Sequence, residues 1–214
     1  MKEPRIPVAQ EGYPFIGFAA FVTLLFTIAH FHLFALVSLV ITAFTLYFFR
    51  DPSRIFSDEK DVLVSPADGK VIVIDKIFDD RFVKEHVYKV SIFMNVFNVH
   101  VNRVPFSGEV TQIHYAPGRF YSADSERGAL ENETCAIIVK TDNGRRMAVA
   151  QVAGLIARRI VCWAQVGDRL QRGSRYGLIR FGSRVDLYLP LQVQLEVKVG
   201  QKVRAGETIL GYFS

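Results

Sequence analysis

The feature that most constrains this chain is a run of 38 residues, Gly12 to Phe49, without a single Asp, Glu, Lys or Arg. A helix rises 1.5 Å per residue and a bilayer's hydrocarbon core is about 30 Å thick. As one helix the run would extend roughly 57 Å, nearly two spans. Its only titratable spot is central, Ala29-His30-Phe31-His32. The run therefore predicts two short helices, about 14–29 and 33–49, in a hairpin that enters and leaves on one side; a re-entrant or interfacial hairpin is the alternative. The histidines read as its polar tip. A cleaved signal peptide fits poorly, because the apolar region is too long and no small-residue cleavage site closes it. Lys2 and Arg5 precede the run and Arg50 and Arg54 follow it, which places both ends in the cytoplasm.

The four charges ahead of the run (Lys2, Glu3, Arg5, Glu11) cancel, so the net charge of +5 belongs entirely to residues 50–214. That body is long enough for one hydrophobic core. A fully soluble cytosolic enzyme is disfavoured. A pI near 9.3 raises nucleic-acid binding, but the basic residues are scattered and no stacking motif or basic recognition helix accompanies them. Cys135 and Cys162 stand in no metal-binding spacing and read as two free intracellular thiols.

Beyond Arg50 short β-branched runs alternate with Gly, Pro, Asn and Asp, the pattern of an all-β body. Strands are predicted at 62–65, 70–74, 88–101, 108–115, 135–141, 145–153, 157–163, 176–189 and 194–197. Asp142-Asn143-Gly144 suits a type I′ hairpin turn. The polar stretch 117–133 is the longest loop and a candidate lid. Two internal echoes stand out. Val166-Gly167 to Arg172-Gly173 returns as Val199-Gly200 to Ala205-Gly206, and Pro66 to Val71 returns more weakly as Pro105 to Val110. The first resembles the hammerhead units of lipoyl- and biotinyl-type sandwiches, each glycine supplying a positive φ. A compact β-sandwich with pseudo-repeated turns is expected.

Along 179–190 the odd positions are apolar except Ser183, and the even ones carry Arg180, Gly182, Arg184 and Asp186. A strand puts the two sets on opposite faces, so Ser183 is the one hydroxyl on an apolar face. Gly182 before it admits unusual backbone geometry. By itself this fits either a structural serine at a bulge or a reactive one.

The string Phe181-Gly182-Ser183-Arg184-Val185-Asp186 belongs to a wider set: Ser65-Pro66-Ala67-Asp68-Gly69, Asn98 to Pro105 with His100, Glu131-Asn132-Glu133, and Ala157 to Ile160. With the N-terminal apolar hairpin, this set resembles the short prokaryotic form of phosphatidylserine decarboxylase over essentially the whole chain. The resemblance implies a self-processing, pyruvoyl-dependent carboxy-lyase of phospholipid biosynthesis at the cytoplasmic face of the cell membrane. Ser183 Oγ would attack the Gly182 carbonyl to form an ester, and elimination and hydrolysis would leave a pyruvoyl group derived from Ser183. A hairpin domain, 1–50, would precede a catalytic domain, 51–214. Cleavage would divide the chain into a large part, 1–182, and a small part, 183–214, which pair as a heterodimer. The pyruvoyl carbonyl would join the amino group of phosphatidylserine and accept electrons as CO2 departs, giving phosphatidylethanolamine. No external cofactor, metal or nucleic acid is implied; membrane lipids are.

In that family's pattern His100 serves near the substrate carboxylate and in proton transfer, and Asp68 in self-cleavage. The longer members carry a second histidine three places after the first, where this chain has Arg103, and Leu-Gly-Ser in place of Phe-Gly-Ser. This leaves His100 serving both steps, or Asp68 acting directly or through water. Arg158, Arg159, Arg180 and Arg184 read as a basic surface that attracts anionic lipid. The competing class is a non-catalytic, membrane-anchored adaptor or carrier domain; no Met-Lys-Met-like lysine between the echoes supports a carrier.

Overall fold

The computed structural model describes residues 7–56, 59, 61–119, 121–154, 159–180 and 183–213. The chain divides into two compact units, Met1–Ser53 and Arg54–Ser214.

In the first unit, α1 (Tyr13–Ile28) and α2 (His32–Phe48) pack against each other, close to the boundaries expected. A hydroxyl contact, Thr23 to Thr42 at 3.1 Å, and an aromatic pair, Phe26–Phe34, join them. His30 sits at the tip with φ 59°. Phe18, Leu33, Leu36 and Val40 project outward. Large apolar side chains on an outer helix face are the inverse of a water-exposed surface. With its preceding turn, the segment Gln10–Ile28 is long and apolar enough to cross a membrane; His32–Phe48 is shorter.

The second unit is mainly β, as expected. Its elements are β1 (Val62–Val64), β2 (Gly69–Phe78), β3 (His86–Met94), β4 (Val101–Arg103), β5 (Gly108–Ala116), α3 (Glu126–Glu131), β6 (Thr134–Lys140), β7 (Arg146–Ala153), β8 (Ile160–Cys162), β9 (Arg169–Leu170), β10 (Arg175–Ile179), β11 (Ser183–Pro190), β12 (Val193–Leu195), β13 (Lys202–Val203) and β14 (Ile209–Phe213). An eight-stranded antiparallel sheet runs β13-β2-β3-β11-β7-β6-β5-β9, and two three-stranded sheets run β4-β10-β8 and β1-β14-β12. The main core lies on one face of the large sheet, where Ile92, Met94, Val149, Ala153, Val185 and Leu187 meet Tyr176, Ile179 and Leu210 of the smaller sheets. Each of the Ile, Val, Leu and Met side chains contributes about 1.5–3 kcal/mol by leaving water. A second cluster, Phe82, Val87, Ile138, Ala148 and Tyr188, covers the opposite face.

The repeated turns match in geometry. Gly167 and Gly200 have φ 93° and 92°, and Gly173 and Gly206 have 79° and 77°. Gly167 N donates to Val110 O and Gly200 N to Val71 O, both at 2.8 Å. Gly69 and Gly108 are equivalent too: a Cβ would lie 2.2 Å from Phe93 O at one and 2.5 Å from Lys140 O at the other. The two echoes are thus one structural unit used twice.

Three sequence expectations need correction. The 142–144 turn is not type I′, which needs positive φ at both central residues. Only Gly144 has it, and Thr141 N donates to Arg145 O at 2.9 Å, closing a three-residue loop. The expected strand 88–101 is broken at Asn95–Asn98, where Asn98 Oδ1 accepts from Asn95 N and Asn95 Oδ1 from Phe97 N. The segment 176–189 is two strands in two sheets, since β10 pairs with β4 and β8 while β11 pairs with β3 and β7.

Candidate active site

Ser183 opens β11, the strand held between β3 and β7. Its cross-strand partners are Met94 on one side and Ala153 on the other. Opposite residues in an antiparallel pair share a face, so Ser183 looks into the main core with Val185 and Leu187. It is fully buried, and among the described residues its Oγ has no hydrogen-bond partner. A buried hydroxyl without a partner costs about 1–3 kcal/mol. Gly182, the preceding residue, lies outside the described residues, as does Arg158.

The other face of β11 is not the solvated surface that its charges suggested. Arg184 is buried and grips Asp186 twice, Nε to Oδ1 at 2.7 Å and Nη2 to Oδ2 at 2.8 Å. Its Nη1 donates to Ala123 O at 3.0 Å, and Lys89 Nζ lies 3.6 Å from Asp186. Two charges of opposite sign, two residues apart on one strand face, neutralise each other and so can be covered. Arg184 is therefore unavailable to lipid; it fixes the start of β11 from behind. Beside it, burial first and the Asp186 charge second push the Tyr188 phenol well above its ordinary range.

His100, also fully buried, stands just before β4. Its Nδ1 is 3.0 Å from Asn98 O, a contact that requires the proton on Nδ1 and leaves Nε2 as the basic nitrogen of the neutral ring. Its own carbonyl accepts from Ile179 N at 3.3 Å, fixing it to the end of β10. Asn102, two residues on, donates to the sulfur of Met94 at 3.6 Å. His100 thus reaches the same end of the core as Ser183.

Asp68 also lies at this end of the sheet: Lys70, Phe93 and Arg184 share one rung across β2, β3 and β11. Its carboxylate, however, faces Arg54 Nη2, at 2.8 and 3.1 Å, and Ala205 N, at 2.8 Å. Arg54 Nη1 also reaches Glu207 at 3.2 Å. Arg103, at the place of the second histidine, donates to Gly173 O at 2.9 Å and lies over the Phe56 ring. The structure sets Ser183 opposite Met94 and Met94 against Asn102, two residues after His100, and gives Asp68 an arginine and a backbone amide as partners.

The 117–133 loop is built rather than irregular. Ser125 caps α3 by accepting from Gly128 N at 3.0 Å. Asn132 Nδ2 donates to Ala153 O at 2.7 Å, so the loop is tied to the residue facing Ser183. Next to it, burial and then Glu133 raise the Tyr115 pKa. Among the described residues no group of three or more His, Cys, Asp or Glu is placed to hold a metal ion. Sequence reasoning missed Gln151, which occupies the same core face on β7 opposite Val185.

An apolar helical pair precedes in sequence a β body whose central strand opens with a buried serine, preceded by glycine in the sequence; this is the class of β proteins with an apolar helical hairpin ahead of the sheet. A family model described as phosphatidylserine decarboxylase matches residues 41–211. The phosphatidylserine decarboxylase proenzyme of Desulfotalea psychrophila is 59% identical over 211 residues, covering 99% of both chains. Those of Syntrophotalea carbinolica and Geotalea uraniireducens are each 50% identical, over 212 and 211 residues, again with 99% of both chains covered. The chain belongs to the phosphatidylserine decarboxylase family.

Proposed function

We propose that the chain is a precursor that cuts itself between Gly182 and Ser183 and then converts phosphatidylserine to phosphatidylethanolamine and CO2. The observation that carries this is the Ser183 hydroxyl, buried and without a partner among the described residues at the start of the central strand. A serine oxygen can attack the preceding carbonyl and later leave, which a structural hydroxyl bonded to a neighbour is not poised to do. A glycine before it puts no side chain in the path.

The residues around Ser183 fit the pyruvoyl group that this chemistry would make of it. Met94, Ala153 and Val185 surround it with apolar core packing. When formed, the group supplies a carbonyl that withdraws electrons from the substrate's α-carbon. His100 moves the proton, with Nδ1 held by Asn98 O and Nε2 as the accepting atom. The apolar lining disfavours a carboxylate and tolerates neutral CO2. Asp68 supports self-cleavage by holding the 65–69 turn against Ala205 and Arg54.

The products are 1–182 and 183–214. They stay together as a heterodimer, because β11 is paired on both edges and β13 and β14 pair with β2 and β1 of the large part. The domains act as a hairpin anchor, 1–50, and a catalytic body, 51–214. The hairpin keeps the body at the cytoplasmic face of the cell membrane, where the lipid substrate lies.

The test is CO2 release from phosphatidylserine in vesicles. The wild-type protein is expected to release it, and Ser183→Ala to remain one inactive chain. A Ser183→Ala protein with undiminished decarboxylation, or an inactive wild type that stays whole as an adaptor would, contradicts the proposal.

A further inference from the structure

The core beside Ser183 contains a polar device that the self-cleavage chemistry above does not use. Gln151 and Asn102 are both fully buried among apolar side chains. Gln151 Nε2 donates to Asn102 Oδ1 at 2.8 Å, and Asn102 Nδ2 donates to Met94 Sδ at 3.6 Å. Gln151 belongs to β7 and Met94 to β3, the two strands that flank β11. The chain Gln151–Asn102–Met94 therefore crosses β11 on its core face, at the level of Ser183 and Val185. Diagonal neighbours on one sheet face are about 7–8 Å apart at their Cβ atoms, within reach of a long side chain.

The fold makes room for this pair. Gly177 of β10 faces the Gln151 amide, and a Cβ there would lie 2.7 Å from Nε2 and 3.0 Å from Oε1. Gln151 Oε1 has no hydrogen-bond partner among the described residues. A buried amide oxygen left without a donor is costly, and such a group calls for a partner. The pair is neutral, and the charged Arg184 and Asp186 lie on the opposite face of β11. An acceptor in neutral, apolar surroundings suits an N–H donor, not a phosphate or a carboxylate.

Resting on the decarboxylase reading above, we infer that the Asn102–Gln151 pair is the subsite for the headgroup nitrogen, with Gln151 Oε1 accepting a hydrogen bond from the substrate's amino N–H while Asn102 holds the amide in place. The pair selects headgroups that carry at least one N–H and turns the nitrogen toward the residue-183 position. The phosphate and acyl chains stay outside these apolar surroundings.

The test uses the self-cut protein in detergent micelles. Phosphatidylethanolamine is trapped on the small chain with cyanoborohydride, and the adduct is read by mass. Two competitors are compared. A dimethylethanolamine-headed lipid keeps one N–H when protonated but cannot be trapped, and a choline-headed lipid has none. Wild type is expected to be protected by the dimethyl lipid at about tenfold lower concentration than by the choline lipid, the scale of one hydrogen bond to a charged donor. Gln151→Met should bring that ratio to about one, and Gln151→Glu, which keeps an acceptor, should preserve it. Equal protection in wild type, or an unchanged ratio in Gln151→Met, overturns the inference. So does failure of both variants to cut themselves, since the pair would then serve self-cleavage. A wild-type chain that neither cuts itself nor traps amine refutes the decarboxylase reading itself.

Discussion

Asp186 is predicted to be the most costly polar side chain to remove from the back of β11. Its carboxylate receives Arg184 at 2.7 and 2.8 Å and Lys89 at 3.6 Å. The Arg184 and Asp186 side chains are only 3% and 2% exposed. Asp186→Ala leaves a buried guanidinium without its counter-ion and with a second cation nearby, which costs about 3–5 kcal/mol. Arg184→Ala leaves Asp186 with Lys89, which is partly exposed, and costs less, about 1–3 kcal/mol. Replacing both with Met and Leu removes the uncompensated charges together and should recover most of the loss. The assay is denaturant unfolding in mild detergent in a Ser183→Ala background, so that one uncut chain unfolds and linear extrapolation applies. A cost below about 1 kcal/mol for Asp186→Ala, or a larger cost for Arg184→Ala, refutes the reasoning that burial makes this pair interdependent.

Two further outcomes follow from burial. Tyr176 and Tyr188 have pKa values raised mainly by desolvation. A raised folded-state value means the folded protein holds its protons where the unfolded chain begins to lose them, so this stability is intact below about pH 10 and is lost as pH rises beyond it. In an alkaline titration followed by phenolate absorbance, these two of the eight tyrosines should ionise only as the body unfolds; early ionisation of either contradicts the burial. Its hydrogen bond to Cys162 first, and burial second, raise the Cys135 thiol, whereas accepting that hydrogen bond lowers Cys162. Since the thiolate is the reactive form, limited alkylation followed by peptide mass mapping should label Cys162 before Cys135, and the reverse order contradicts the assignment.

Much of the fold was legible because local chemistry dictated it. The helix boundaries fall where charge and the His30 tip interrupt the apolar run. The paired glycines stood at equal spacing because each must supply the same positive φ at the same turn. Ser183 was legible as a hydroxyl out of place on an apolar face. Gln151 breaks the apolar face of β7, between Val149 and Ala153, in the same way, and could have been found by the same argument. Other features depend on tertiary partners. Arg184 and Asp186 looked solvent-facing, since nothing local says that Ala123 reaches Arg184 and that Phe82, Val83 and Val87 join a second buried cluster on that face of the sheet. The Asn95–Asn98 turn was hidden inside a β-branched run, although two asparagines three residues apart are a turn signal. Arg54 is 14 residues from Asp68, and only folding makes them an ion pair.

The account stands most directly on the peptide bond before Ser183. Intact-mass measurement of the protein purified from cells should give two polypeptides, residues 1–182 and 183–214, the smaller with a blocked N-terminus. A single polypeptide of the full 24.2 kDa, with serine intact at position 183, would contradict it.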